Sequence, residues 1–447
     1  TSSDFSTAFN SSLFQRSSNA MVEETSVQEG APSAMAVRQE FVEEFDQHLV
    51  WRKNAPLLYD LFATCDLGHA AQSVSWLTDV ENELTKVAVG TRAADGEKGT
   101  LSVLELTCVV DTADTDDLEH PDPWKSWTIP ELGSMRGFGL KGMKDQAPLR
   151  KMVDFTLTSD PNRICACARE ASVFAVKGSC GSVMIFDYKT PGGPRSTLSE
   201  ETPADGYALE WNPLEENVLG TGGHDGQLSI WDVKATSKIW STMAHKEPLN
   251  DLCYSADGKQ LVTVGEDHST LLWDLRSKKR TMSFQASTEQ LSVDWNHHET
   301  HQLLTGGKDG LVHVWDMRKV DDPLKSLRGH EQEVVQVKWC PASGEVTGFS
   351  PQNFLASACV GGQTILWNLA ADSEDAGDGE APEVLFIHNG HHAAMNDFGW
   401  SLLDDFLFCS VALDGFLQFW QPAAIITQDE MPNETGESAA KRLRIDS

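Results

Sequence analysis

A strand motif that recurs through the second half of the chain constrains the fold more than any other feature of the sequence. Each copy is an apolar segment that ends in Trp-Asp or a near variant of that pair. Six copies are recognisable: Val183–Asp187, Leu228–Asp232, Leu271–Asp274, Val312–Asp316, Thr364–Asn368 and Leu417–Gln421. Most follow one another at the interval of about 40–45 residues that predicts tandem units of four short strands.

Units of this length with Trp-Asp ends and glycine-rich turns are typical of WD-repeat β-propellers, in which each unit forms one blade. Alternating apolar residues around 73–77, 87–90 and 101–104 predict one more, degenerate blade. The sequence therefore predicts an all-β fold, a closed seven-bladed propeller over residues 65–425. Residues 111–147 show little strand pattern and are expected to form a long acidic connection within it.

Several segments fall outside the repeats. Residues 35–54 predict an amphipathic α-helix that packs on the side of the propeller, because Val37, Phe41, Phe45 and Leu49 recur every four residues. Pro56 is expected to end this helix. Residues 1–34 are expected to be a disordered leader, of which 1–20 could derive from cloning. Residues 371–383 form an acidic inserted loop, and 426–447 a disordered tail.

The composition limits the classes of partner. The chain has 447 residues, with 67 acidic against 35 basic side chains and a net charge of −32. Sequence-independent binding to nucleic-acid phosphates requires a basic face, so this charge favours a basic partner instead. The nine cysteines form no C-x-x-C pair, which indicates reduced thiols rather than a zinc site. With no long apolar run and no signal peptide, the chain is expected to be soluble and intracellular.

Histidine and aspartate at fixed places in the repeats suggest catalysis at first sight, but a structural role explains them better. His245, Thr263, Asp267 and Trp273 match the buried hydrogen-bonded set of WD repeats, and so do His391, Ser410, Asp414 and Trp420. Buried polar groups must be paired, and such a set pairs them. A metal site at His391, His392 and Asp397 is disfavoured for the same reason. We expect no enzymatic activity, no cofactor and no metal.

Three segments resemble one particular family of WD-repeat proteins. Residues Trp51–Leu61, Asp205–Pro213 and Glu374–His391 are similar to the retinoblastoma-binding, chromatin-assembly-factor small-subunit (Msi-type) family of histone-binding proteins. The resemblance covers roughly residues 40–421. It implies a non-enzymatic histone-binding scaffold or chaperone of chromatin assembly, modifying or remodelling complexes.

The resemblance implies a groove for the first helix of the fourth core histone, between the N-terminal helix and the acidic loop. An apolar floor with a carboxylate rim suits a basic amphipathic helix. The implied groove residues are Phe45, Leu49, Leu58, Phe386 and Ile387, with Glu374, Asp375 and Asp378 on the rim. The loop is one residue longer than the usual family form, and it has Ala381-Pro382 where two prolines are common.

The resemblance also implies a site for the tail of the third core histone at one mouth of the central channel. Asp205, Tyr207 and Glu333 stand at matching positions, with Glu289 as a further contributor. Asn250, Leu413 and Gly68 occupy places where the family usually has glutamate, and Val335 replaces an aromatic residue. Because these changes remove acidic charge, they predict weakened capture of a basic tail.

The end of the chain carries a compact basic cluster. Lys441, Arg442 and Arg444 resemble a nuclear import signal, so a nuclear location is expected. The expected partners are the third and fourth core histones and subunits of chromatin assembly, acetyltransferase, deacetylase or methyltransferase complexes, without direct nucleic-acid or membrane contact. The alternative is a WD-repeat adaptor for ribosome assembly or a ubiquitin ligase, in which the acidity serves only solubility.

Overall fold

The structure is a computed structural model. It describes residues 51–81, 84–92, 99–106, 109–110, 124–129, 132–141, 147–190, 192–341, 350–371, 381–402 and 406–427. The chain divides into two units, residues 1–53 and 54–447, and all the described strands belong to the second. No helix in the described part is long and apolar enough to span a bilayer.

Thirty-two strands make up almost all the regular structure of the described residues. In chain order they are β1 Tyr59–Asp66, β2 Ala71–Glu81, β3 Leu84–Thr91, β4 Thr100–Leu106, β5 Val109–Val110, β6 Lys125–Ile129, β7 Gly133–Phe138, β8 Leu140–Lys141, β9 Leu149–Thr156, β10 Pro161–Ala166, β11 Val173–Gly178, β12 Val183–Asp187, β13 Ser196–Leu198, β14 Leu209–Trp211, β15 Val218–Gly222, β16 Gln227–Asp232, β17 Ser237–Met243, β18 Leu249–Tyr254, β19 Gln260–Gly265, β20 Ser269–Asp274, β21 Lys279–Gln285, β22 Gln290–Trp295, β23 Gln302–Gly307, β24 Leu311–Asp316, β25 Lys325–Arg328, β26 Val334–Trp339, β27 Phe354–Cys359, β28 Thr364–Asn368, β29 Val384–His388, β30 Met395–Trp400, β31 Phe408–Ala412 and β32 Phe416–Pro422. Residues 51–58 are helical (α1), Ala424–Thr427 form a short helix (α2) and Pro351–Asn353 a 3-10 turn.

The strands form the seven antiparallel blades of a propeller, as the repeats predicted. Blade 1 is β2-β3-β4-β9, and blades 2 to 6 use the successive sets from β10-β11-β12-β13 to β26-β27-β28-β29. Blade 7 contains β30, β31 and β32 from the end of the chain and takes its fourth strand, β1, from the beginning. This pairing of β1 with β32 closes the ring. The start of the propeller that the sequence predicted, residue 65, therefore falls inside strand β1.

Two expectations about irregular segments were wrong. Residues 111–147 contain strands: β6 and β7 form a hairpin that pairs with β1 and widens blade 7 to six strands. Gly137 permits this pairing, since a Cβ there would lie 2.3 Å from the Phe62 carbonyl oxygen. Pro56 does not end the N-terminal helix, which continues to residue 58.

Side chains bridge all seven interfaces between blades. Four carboxylates and one amide on the innermost strands each accept a backbone N–H from the next blade. The donor and acceptor residues are Val74 and Asp397 (3.1 Å), Tyr254 and Glu210 (2.6 Å), Val293 and Asp251 (3.1 Å), Trp339 and Asp294 (2.6 Å), and Phe398 and Gln336 (3.0 Å). The Ser73 hydroxyl accepts from Ile164, and Trp211 Nε1 donates to the Cys165 carbonyl. An innermost strand would otherwise expose unpaired amides at its free edge.

The predicted hydrogen-bonded sets inside the blades are confirmed. His245 bonds Asp267 through Nδ1 and Thr263 through Nε2, each at 2.8 Å, and the Trp273 indole donates to the same threonine at 3.1 Å. The set of His391, Asp414, Ser410 and Trp420 repeats this arrangement in blade 7. These histidines are therefore engaged in holding turns and strands together.

Blade 6 contains an incomplete set, because Gly361 stands where the turns of blades 3, 4, 5 and 7 have aspartate. His330 Nε2 bonds Ser357 at 2.6 Å, but its buried Nδ1 has no hydrogen-bond partner. Burial lowers the pKa of His330 to about 4. Since the unfolded chain binds this proton near pH 6.5, the histidine destabilises the fold progressively as the pH falls from 6.5 toward 4.

Replacing Gly361 by Asp should complete the set and stabilise the protein by about 1–2 kcal/mol at neutral pH, since it pairs a buried nitrogen and removes a glycine. A Cβ at this position lies 3.3 Å from Cys359 Sγ, a contact that a small shift of the sulfur relieves. Urea unfolding at pH 7.5 and 5.5 measures both effects. The gain should be larger at pH 5.5, because the new carboxylate favours the protonated imidazole. Equal stability of the two proteins at both pH values would contradict this account of blade 6.

Candidate functional site

The end of helix α1 and the end of the acidic loop meet on the outside of the propeller. Tyr59 directly follows α1, and β29 begins at Val384, directly after the loop of residues 371–383. The Tyr59 hydroxyl lies 2.9 Å from His388 Nδ1, and the Tyr59 ring meets the Phe386 ring edge-on at 5.0 Å. Two segments that are distant in the sequence are thus fixed against each other.

His388 lies at the centre of this junction. Its Nε2 is 3.1 Å from Gln418 Oε1, which can only accept, so Nε2 carries the proton and Nδ1 accepts from Tyr59. The imidazole stacks on Trp420 with 4.2 Å between ring centres. Full burial lowers the pKa of His388 well below its usual value, so the ring is neutral. His388 therefore joins β1, β29 and β32 without bringing a buried charge.

Apolar side chains next to the junction are exposed to solvent. Leu57 is 66% exposed and Ile387 is 40% exposed, values that are high for large aliphatic residues. Leu58 is half-buried, and its carbonyl accepts the Ala423 N–H at 2.9 Å. Phe386 is only 7% exposed, so it supports the surface from beneath rather than lining it. We call Leu57, Leu58 and Ile387 the junction surface.

Of the groove residues that the resemblance implied, the structure describes Leu58, Phe386 and Ile387. Leu58, Phe386 and Ile387 lie at or beside the junction. Phe45, Leu49, Glu374, Asp375 and Asp378 lie outside the described residues. At the end of the loop, Glu383 pairs with Lys325 at 3.2 Å, so this carboxylate is already partly neutralised. Sequence reasoning missed Leu57 and gave His388 no role, although His388 lies inside the Glu374–His391 motif.

One mouth of the channel is built from the same hydrogen bond in every blade. A residue of the turn between the second and third strands donates its N–H to the carbonyl just before the innermost strand. The pairs are Arg92 and Ala70, Ser179 and Asp160, His224 and Asp205, Glu266 and Pro248, Lys308 and Glu289, Val360 and Glu333, and Leu413 and Ala394. In a four-stranded antiparallel blade both of these connections lie at the same end of the strands, so the pairs ring a single mouth.

Charge is distributed unevenly around this mouth. Asp205, Glu289 and Glu333, which the sequence singled out, occupy equivalent positions in blades 3, 5 and 6. Tyr207 follows Asp205, and its ring lies 5.8 Å from the His224 ring. Blade 7 contributes only apolar side chains, those of Leu413 and Ala394. The mouth therefore has an acidic arc over blades 3 to 6, an apolar position at blade 7, and an ion pair of Arg92 with Asp160 at blades 1 and 2.

Glu266 belongs to the acidic arc, although the sequence gave no sign of it. Burial raises the pKa of Glu266, and so do the neighbouring carboxylates of Glu289, Glu247 and Glu333, while Lys308 lowers it. Lys308 also forms an ion pair with Glu289. Glu266 and Glu289 thus both interact with Lys308. From the sequence alone, a turn glutamate in a Gly-Glu-Asp segment cannot be assigned to the channel mouth, because the assignment requires the relative positions of neighbouring blades.

The described residues contain no group of three or more His, Cys, Asp and Glu side chains placed to hold a metal. The candidate trio of His391, His392 and Asp397 is divided between separate interactions. His391 bonds Asp414 and Ser410, whereas Asp397 bonds Ser73, Val74 and Arg163.

Comparison with known proteins finds similarity to one family of histone-binding proteins and to the WD repeat. Residues 46–110 match the model of a family described as histone-binding protein RBBP4 or the corresponding component of the CAF1 complex, and residues 237–274 and 278–316 match that of the WD domain, G-beta repeat. The chain is 26% identical over 206 residues to the probable histone-binding protein rba-1 of Caenorhabditis elegans, an alignment that covers 43% of this chain and 47% of the relative. The chain thus spans about half the length of this relative.

Proposed function

Because the chain is a WD-repeat propeller of the RBBP4 and CAF1 type, we propose that it is a histone-binding scaffold. Its main site is the groove that contains the junction surface, and its ligand is the first helix of the fourth core histone. The contact of Tyr59 with Phe386 and His388 carries this proposal, since it fixes the end of α1 beside the strand that follows the acidic loop.

The chemistry of the surface suits such a ligand. Leu57 and Ile387 offer exposed apolar contacts, and the sequence of residues 371–383, which ends directly before β29, is rich in carboxylates. A basic amphipathic helix can bury one face on aliphatic side chains while its arginines reach carboxylates. The chain's net charge of −32 accelerates the approach of a basic ligand.

Calorimetric titration with a synthetic peptide of that histone helix tests the proposal. We expect binding with one peptide per chain, and no measurable binding of a scrambled peptide of the same composition and charge. Equal binding of both peptides would show that charge alone attracts them, and would favour the alternative of a WD-repeat adaptor with another partner.

The channel mouth is a second proposed site, for the basic tail of the third core histone. We expect weak binding that falls steeply with salt, since Lys308 neutralises part of the acidic arc. Glu333→Lys should lower the affinity about tenfold or more, because it reverses one charge beside Glu266 and Glu289. Glu331→Lys, an exposed glutamate two residues away, serves as the control. Tight binding that is insensitive to salt would contradict this assignment.

We further propose that the protein acts in the nucleus as a member of chromatin assembly, modifying or remodelling complexes. Lys441, Arg442 and Arg444, which lie outside the described residues, are the proposed import signal. Deleting residues 439–446 should move a fluorescent fusion to the cytoplasm without changing the melting temperature. A truncated fusion that stays nuclear after its partners are depleted would place the signal elsewhere.

A further inference from the structure

The hairpin turn between β20 and β21 carries a concentration of positive charge that is unusual for this acidic protein. Residues 274–280 read Asp-Leu-Arg-Ser-Lys-Lys-Arg, with four cations and one carboxylate. Arg276, Lys278, Lys279 and Arg280 are all exposed. We call these four side chains the basic turn.

The corresponding turns of blades 5 and 2 each neutralise one cation. In blade 5, Arg318 makes a bidentate contact with Asp316, and in blade 2, Lys189 pairs with Asp79 at 2.8 Å. In the basic turn, the Asp274 carboxylate instead accepts the Ser277 N–H at 2.6 Å. None of the four cations has a carboxylate within 4 Å among the described residues; Lys278 Nζ donates to the Ile239 carbonyl at 3.2 Å. The positive charge of this turn is therefore available to an external partner.

The conformation of the turn is also unfavourable for a lysine. Lys278 has φ +56°, a left-handed conformation in which glycine or asparagine would be less strained. Adjacent like charges at Lys278, Lys279 and Arg280 repel one another in addition. Thr236 occupies the same position in the blade 3 turn with φ +50°, so the fold demands the backbone conformation but not the charge.

Neighbouring residues extend the surface. Ile239, whose carbonyl accepts from Lys278, is 43% exposed on the edge strand β17. Lys259 lies on the other side, where its carbonyl accepts the Leu275 N–H, and its ammonium pairs with the exposed Asp257. Cations thus occupy the end of blade 4 opposite to the channel mouth, next to the exposed Ile239 of blade 3.

We propose that the basic turn docks a short acidic segment of a partner protein, in which carboxylates flank an apolar residue that contacts Ile239. This inference does not depend on histone binding, which uses surfaces of the opposite charge. A short peptide meets only the local field, because screening at physiological salt acts within about 8 Å. A long nucleic acid would extend over the surrounding surface of a chain with net charge −32, so the charge pattern favours a peptide over DNA or RNA.

Fluorescence anisotropy with the full chain tests the proposal. The probes are a labelled peptide of eight residues, alternating Glu and Asp around one central Leu, and a labelled 20-base-pair DNA duplex. We expect peptide binding at 50 mM NaCl that Lys279→Gln with Arg280→Gln weakens about tenfold. The control, Lys246→Gln with Lys319→Gln, removes the same charge from exposed positions in other turns and should leave the affinity unchanged.

The variant Lys278→Gly tests whether a loss of peptide binding could result from a loss of stability. This variant should raise the melting temperature by about 1–2 °C by relieving the left-handed strain, while it weakens peptide binding about threefold. Peptide affinity that both basic-turn variants leave unchanged would overturn the proposal, as would equal losses in the control. If the duplex binds more tightly than the peptide and the same variants abolish its binding, the partner of the basic turn is a nucleic acid and not an acidic peptide.

Discussion

Replacing Asp397 by Ala is expected to lower the free energy of unfolding by about 3–5 kcal/mol, because it leaves a buried charge and several donors without a partner. Asp397 is 2% exposed and accepts from the Ser73 hydroxyl at 2.5 Å and the Val74 N–H at 3.1 Å. Arg163 of blade 2 reaches the other carboxylate oxygen at 3.2 Å. Because Ser73 in turn accepts from Ile164, one side chain ties together blades 7, 1 and 2, where the two ends of the chain meet.

Urea unfolding followed by tryptophan fluorescence measures this loss. Asp316→Ala is the matched control, since it removes a carboxylate whose partner, Arg318, is 68% exposed, and such surface pairs contribute about 1 kcal/mol or less. Equal losses in the two variants would show that ring closure does not depend on the buried network.

Histone-helix binding should fall by about 30-fold or more when Leu57 and Ile387 are both replaced by Ser. Central apolar contacts typically contribute about 2–4 kcal/mol to such an interface. Both side chains are exposed, so the fold should tolerate the change. The measurement is calorimetric titration with the helix peptide, accompanied by a thermal melt.

The double variant Leu214→Ser with Leu324→Ser provides the control. Leu214 is 50% exposed and lies in blade 3, and Leu324 is 57% exposed and follows the third strand of blade 5. The control should bind like the parent protein. If the junction variant keeps full affinity, the helix binds elsewhere and the groove assignment is wrong, whatever the fate of the channel-mouth site.

The sequence predicted the blades well because each one repeats a local pattern. The apolar strands, their closing tryptophans and the His245 and His391 sets all fall within single repeats, so one unit can be compared with the next. The missing aspartate of blade 6 was visible in the same way, and the unpaired His330 nitrogen is its physical consequence.

Features that depend on contacts between distant segments were not predictable. The hairpin of β6 and β7 lies in acidic sequence without a repeat to compare, and it becomes regular only by pairing with β1. The role of His388 requires Tyr59 and Gln418, which are 329 and 30 residues away. Glu266 meets the other carboxylates of the channel mouth only because three blades place their loops side by side. Such contacts leave no periodic signal in a single sequence.

Site-specific photo-crosslinking tests the central proposal most directly. A benzophenone side chain in place of Ile387 should capture the fourth core histone through its first helix, as mass spectrometry of the crosslinked peptide would show. The same side chain in place of Leu324, which is more exposed than Ile387, should capture no histone. Capture of the helix from position 387 alone is the predicted result. Capture from position 324 alone, or from neither position while binding persists in solution, would contradict the proposed site.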